Sequence, residues 1–396
     1  MKTALILLLV VLLGCSAPLP RADDGAATPE KVAQVVSANN QFAFELFSRL
    51  GNDNVFFSPY SISTALAMTY EGARGKTAEE MQSVFHFPES SVRQPAFAAI
   101  YNDLNKKDKK YALNTANALW AQKDFTFLAD YLNTTERYYG GEVTNLDFVH
   151  AAEQSRVTIN DWVEAQTNNK IKDLLPASPP VINPLTRLVL TNAIYFKGDW
   201  VLKFDKKNTQ EADFYVSPEE TVKVQMMSLT GEKARFNYSS AEDLQAIELP
   251  YAGNELSMLI LLPEDINSFD MSAERLNSIR ANLRETDMSV YLPKFKLETK
   301  YFMRETLMAM GMPTAFDMGA DFSGMTGTSD LYIREVIHQA FVEVNEEGTE
   351  AAAATAVIME LKAVMREPFR ADHPFIFLIQ DKNNNILFMG RVVNPG

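Results

Sequence analysis

The sequence predicts an α+β protein with antiparallel sheets, on three observations. Helical periodicities gather early in the chain, and strand-like runs dominate from residue 185 onward. The C-terminal stretch FIFLIQDKNNNILFMGRVV sets two apolar runs on either side of an Asp-Lys-Asn-Asn-Asn turn, a hairpin signal. Helices collected early and strands collected late read as α+β.

The first helix is expected from Thr28-Pro29, a cap followed by proline at the first helical position. Val32, Val36, Phe42, Leu46, Phe47 and Leu50 follow at helical spacings. A second helix is expected from Pro59 to about Tyr70 and a third after Thr77. LVLTNAIYFKG, AIELPY, LSMLILLP and MSVYLPKFKL read as strands, and YFMRETLMAMG as a helix between them and the C-terminal hairpin.

The chain has 396 residues, 46% hydrophobic and 22% charged, an ordinary globular balance. No Pro/Gly/Ser-rich linker, charge block or repeat interrupts it after about residue 30, so one large domain is as plausible as two. A formal charge of -14 argues against nucleic acid as a partner. The one basic cluster, Lys106 to Lys110, reads as a solvated turn. At the N-terminus Lys2 precedes an apolar run from Ala4 to Leu13, the order of a signal peptide and too short to span a bilayer. Leu12-Leu13-Gly14-Cys15 resembles a bacterial lipobox, in which the cysteine is lipidated, and Cys15 is the only cysteine. Residues 1–14 are thus expected as signal, and residues 15–29 as a flexible tether. The protein would be extracytoplasmic, lipid-anchored to a bacterial outer membrane through Cys15, or secreted after cleavage following Ala17.

Catalytic motifs are scarce. There is no Gly-x-Ser-x-Gly, His-Glu-x-x-His or Cys-x-x-Cys, and the four histidines are scattered. His338 lies in an apolar stretch, where a satisfied core histidine is the default. No nucleophile is assembled with a base, and no metal or cofactor is implied. The segment from Asn345 to Pro368 stands out, because Ala351 to Thr355 carry almost no side chain. At period two, Thr349, Ala351, Ala353, Thr355, Val357 and Met359 form a small or apolar face without charge. Glu350, Ala352, Ala354, Ala356, Ile358 and Glu360 form the other. Alanine and glutamate fit a surface helix equally well, so the residues alone leave strand and helix open.

Several separated motifs decide what the pattern alone does not. FFSPYSISTALAMTYEGARGKTAEEM, LTNAIYFKGDW, ELPY, LPKF, ADFSGM, IHQAFVEVNEEGTEAAAATA and FRADHPFIFLI…NILFMGRVVNP occur in the order and spacing of one family. Over residues 30–396 the chain resembles a serpin, a serine protease inhibitor. The resemblance implies antiparallel sheets with packed helices and an exposed reactive loop, here about residues 346–370. It implies a mechanism too: a protease cuts the loop, forms an acyl-enzyme, and is trapped as the loop inserts into the main sheet. The inhibitor supplies no catalytic residue and needs no cofactor.

The resemblance also assigns positions. Gly348, Thr349, Glu350, Ala351, Ala352, Ala353, Ala354 and Thr355 match the hinge that enters the sheet. Ser58, Ser61, Asn192 and His338 match the cluster beneath the sheet where strands part, and Trp200 the aromatic at its top. Lys294 and Glu346 match an ion pair at the base of the loop. Counting fourteen residues on from Gly348 puts the reactive bond between Lys362 and Ala363, with Leu361 and Arg366 as secondary sites. Lysine there implies trypsin-like serine proteases as partners of a monomer. The alternative is a non-inhibitory serpin acting as binding protein or chaperone, a class that tends to lose the small-residue hinge.

If Cys15 is lipidated, Cys15→Ala should shift the protein from the membrane to the soluble fraction of the native bacterium. Unchanged fractionation would exclude this anchor.

Overall fold

The computed structural model describes residues 21–349 and 367–396, apart from residues 179, 232, 233 and 242. Helix α1 (Pro29–Phe47) begins where Thr28 Oγ1 accepts from the Lys31 amide at 3.3 Å, with Pro29 in the first turn. It stops at Phe47, so Leu50 lies in the turn beyond the helix. Helix α2 (Pro59–Gly72) is capped by Ser58 and buried almost all round, as expected of a helix lacking a polar stripe. It touches α1 on one side and strands of two sheets on others. Helix α3 (Gly75–Phe85) starts slightly ahead of Thr77. Helices α4 (Ser90–Leu104), α5 (Ala129–Tyr139) and α6 (Ala152–Gln166) follow.

Among the described residues the strands form three sheets. The first is antiparallel, in the order β1 (Val55–Phe57), β17 (Ile386–Val392), β16 (Phe375–Asp381), β9 (Leu256–Pro263), β8 (Leu244–Pro250), β7 (Arg235–Ala241) and β10 (Arg284–Asp287). Strands β16 and β17 are the predicted hairpin. Asp381 Oδ1 closes its turn by accepting from the amides of Asn383 and Asn385 at 2.8 and 3.0 Å. The second sheet runs β15 (Phe369–Arg370), β11 (Val290–Pro293), β6 (Thr221–Leu229) and β5 (Gln210–Tyr215). The third is mixed: β12 (Phe295–Phe302), β13 (Glu335–Asn345), β14 (Gly348–Thr349), β4 (Leu188–Asp199), β2 (Tyr111–Gln122) and β3 (Glu142–Leu146). Tyr301 and Phe302 belong to β12, so the helix expected from YFMRETLMAMG covers only Arg304–Met310.

Both faces of the third sheet are covered. Its inner face packs into the main core with α2 and the first sheet. Its outer face carries a separate apolar cluster, in which Ile159 and Val163 of α6 and Ile171, Leu174 and Leu175 of the following segment lie on Val189, Ala193 and Ile337. The segment expected as a tether is docked at its end: Ala22 exchanges two hydrogen bonds with the Asn102 side chain, and Asp23 pairs with Arg137. In the basic cluster, Lys106 pairs with Glu255 and Lys109 donates to the Leu104 carbonyl at 3.1 Å.

Candidate functional site

The third sheet is zipped over half its length only. Strands β4 and β13 run parallel and in register from Val189↔Glu335 to Tyr195↔Phe341. Above that pair they diverge, and β14 lies between them. The chain leaves β13, turns at Glu346-Glu347 and folds back, pairing Thr349 with both Val344 and Gly198. Only glycine fits at 348. Its φ is +150°, and a Cβ there would stand 2.1 Å from the Gly198 carbonyl oxygen. Thr349 is fully buried, with Oγ1 2.9 Å from the Tyr251 hydroxyl.

Trp200 holds this opening. Its indole stacks on Tyr251 at 4.6 Å, Nε1 donates to the Asn345 carbonyl at 3.0 Å, and its amide donates to the Glu347 carbonyl at 2.9 Å. The expected pair forms, with Lys294 Nζ 3.1 Å from Glu346, and Thr209 Oγ1 donates to the same carboxylate at 2.8 Å. Glu347 is a second clamp that sequence reading missed, held by Lys206 at 2.9 Å and Lys203 at 3.3 Å. Burial opposes ionisation of both carboxylates, but hydrogen bonds and the lysines outweigh it and hold both below the ordinary glutamate range.

Lower down, inside the zipped half, the structure brings Ser58, Ser61, Asn192 and His338 together and adds Asn117 of β2. The Ser58 amide can only donate, so His338 Nε2, 3.0 Å away, must accept. That leaves Nδ1 as the donor to Asn192 Oδ1 and makes the imidazole neutral. Asn192 Nδ2 donates to Ser61 Oγ at 2.7 Å and to Asn117 Oδ1 at 2.6 Å, while Ser58 Oγ donates to the Leu387 carbonyl at 2.6 Å. Complete burial pushes the His338 imidazole down to about 3. Trp200 is not in this cluster but at the top of the sheet.

A family model described as serpin (serine protease inhibitor) matches residues 37–395. The chain belongs to the serpin family. An uncharacterized serpin-like protein of Thermococcus kodakarensis is 46% identical over 375 residues, 91% of this chain and 86% of that one. The leukocyte elastase inhibitor of Xenopus tropicalis is 44% identical, over 91% of this chain and 99% of its own. Uncleaved ovalbumin superposes with a TM-score of 0.82 at 33% identity, covering 91% of this serpin and all of ovalbumin. Of the positions assigned from sequence, Cys15, Glu350 to Thr355, Leu361, Lys362, Ala363 and Arg366 lie outside the described residues.

The buried neutral imidazole predicts an acid-sensitive fold. With a folded value near 3 against an ordinary 6.5, the unfolded chain binds the extra proton between those limits. His338 therefore favours the folded state above pH 6.5 and costs stability as pH falls below it. By pH 5.5 the loss from this group should reach ~1.4 kcal/mol. The midpoint of urea unfolding should fall more steeply from pH 7 to 5 in the unaltered protein than in His338→Gln. Parallel slopes would refute this.

Proposed function

We propose that this serpin is a single-use inhibitor of trypsin-like serine proteases. The observation that carries the reading is β14: the first two hinge residues already form ladder pairs on both sides, so a strand has been started between β4 and β13. Continuing those two registers one residue per step assigns every later position. Residues 352–358 would enter between the seven parallel pairs of the seam, with Ala352 between Tyr195 and Phe341. Thr355 would come between Asn192 and His338, where a hydroxyl can both donate and accept in place of the bond it separates. Lys362 lies four residues past the last pair, so a protease acylated to it would have travelled the length of the seam. Thirteen steps at ~3.3 Å from Thr349 to Lys362 amount to about 43 Å.

The chemistry before insertion belongs to the protease. Its serine attacks the Lys362 carbonyl, the Lys362–Ala363 bond breaks, and the loop remains as an acyl ester on the enzyme. The lysine cation suits the acidic primary pocket of a trypsin-like enzyme. Insertion then competes with hydrolysis of that ester. The inhibitor works as one domain over residues 30–396, outside the cytoplasm, anchored through Cys15 or secreted.

Thr355→Arg tests the insertion step, because the register would bring residue 355 between Asn192 and His338 only on insertion, and an unpaired charge there is costly. The unaltered protein should form a complex with trypsin that survives boiling in detergent. The variant should fold but be cut without trapping. Trapping at unchanged stoichiometry would exclude strand insertion, and cleavage of the unaltered protein without any complex would favour a non-inhibitory binding protein.

Lys362→Ala should slow inhibition of trypsin by roughly two orders of magnitude or more while leaving the fold intact. If it still traps trypsin at the original rate and the released peptide begins at Glu367, the reactive residue is Arg366.

A further inference from the structure

The seam between β4 and β13 ends at its upper side in an aromatic pair. Tyr195 and Phe341 are the last residues in parallel register, and both are buried on the outer face of the sheet. Their ring centroids lie 6.3 Å apart at 45°. Lys170, from the segment that follows α6, places Nζ 5.9 Å from the Tyr195 ring and 5.7 Å from the Phe341 ring. Lys296 of β12 lies 5.1 Å from the Phe341 ring. Each contact of this kind favours the closed arrangement, and desolvation strengthens it.

We infer that Tyr195, Phe341 and Lys170 form a clasp that sets the rate of strand insertion, and that residue 352 is the one that must pass it. This rests on the strand-insertion reading above and identifies its first resisting step. Two residues after Thr349 can enter without unzipping, because the positions they would face lie above the last seam pair. The third cannot. A new strand would double the ~4.8 Å spacing of β4 and β13 and separate the two rings. By alternation, side chain 352 of that strand would lie on the outer face between the two rings. Alanine would ask least of the rings there, and a bulkier side chain would press against them. Tyr195 and Phe341 are positioning residues here, since neither touches the protease.

The test uses a synthetic peptide of residues 350–360, which starts after the protein's own Thr349, and follows how fast it converts the intact protein to a heat-resistant complex. No protease is needed, so the outcome is separate from whether the protein inhibits. Phe341→Ala should take up the peptide about tenfold faster, equivalent to ~1.4 kcal/mol off the barrier. A peptide with Phe in place of Ala352 should enter the unaltered protein at least about tenfold more slowly, and Phe341→Ala should recover most of that loss. Phe341→Leu, which keeps more volume, should fall between and guards against misfolding of the alanine variant. A general loosening of the core would speed both peptides alike and overturn the clasp. So would an unaltered protein indifferent to bulk at 352, even if it traps trypsin normally. Rates that depend jointly on 341 and 352 would support it, even if no protease were trapped.

Discussion

Two parallel strands, β4 and β13, are neighbours over seven residue pairs and are kept apart above them by two residues of a third. Everything else at the site follows from that half-zipped seam. A strand wedged between two others must satisfy its backbone groups on both edges, which β14 does with its ladders to β13 and β4. It must also approach β4 closely enough that a Cβ at 348 would collide with backbone, so the wedge starts with glycine. The turn feeding it is short and carries two buried glutamates. Three lysines and a threonine hydroxyl are therefore gathered from β11's end and from the segment after β4 to neutralise them.

The zipped half is closed by contacts that differ on its two faces. On the inner face, His338, Asn192, Ser61 and Asn117 exchange hydrogen bonds across three strands and α2. A buried network of this kind resists opening because each group loses its partner unless another arrives. On the outer face, the Tyr195–Phe341 rings sit at the upper limit of a region covered by α6 and the segment after it. Aromatic and dispersion contacts do not need replacement partners and can be broken one pair at a time. The inner face thus responds to chemical identity, and the outer face to size.

Much of this was legible in the sequence. The capped starts of α1 and α2, the C-terminal hairpin, the Ser58–Ser61–Asn192–His338 cluster and the Lys294–Glu346 pair all lie where motif and pattern put them. Other elements gave little local signal. Strand β2 is rich in alanine and asparagine, residues depleted in strands, and α4 contains Pro95, so neither pattern declares its element. Asn117 went unnoticed for that reason, since a polar residue inside such a run resembles a turn. Glu347 finds Lys203 and Lys206 more than a hundred positions away, and no spacing along the chain encodes that meeting. Tyr251 lay in plain view within ELPY, but its role depends on stacking against Trp200 and on reaching Thr349.

The same geometry accounts for a feature that alternation alone left half explained. A strand with one buried face needs small residues on that face only, and Thr349, Ala351, Ala353 and Thr355 would suffice. Yet positions 352, 354 and 356, on the opposite face, are alanine as well. A surface strand would be free to carry lysine or glutamine there. The seam is not at the surface: Val189, Ala193 and Ile337 are covered on the outer side by α6 and its following segment, and Tyr195 and Phe341 are buried beside them. A segment entering this seam would be enclosed on both sides at once, so neither face can carry charge, and residues 352–358 are all uncharged. Charge is then tolerable only where cover is absent, at the mouth above the aromatic pair. Glu350 is the residue the register would bring to that mouth, between Lys197 and Glu343.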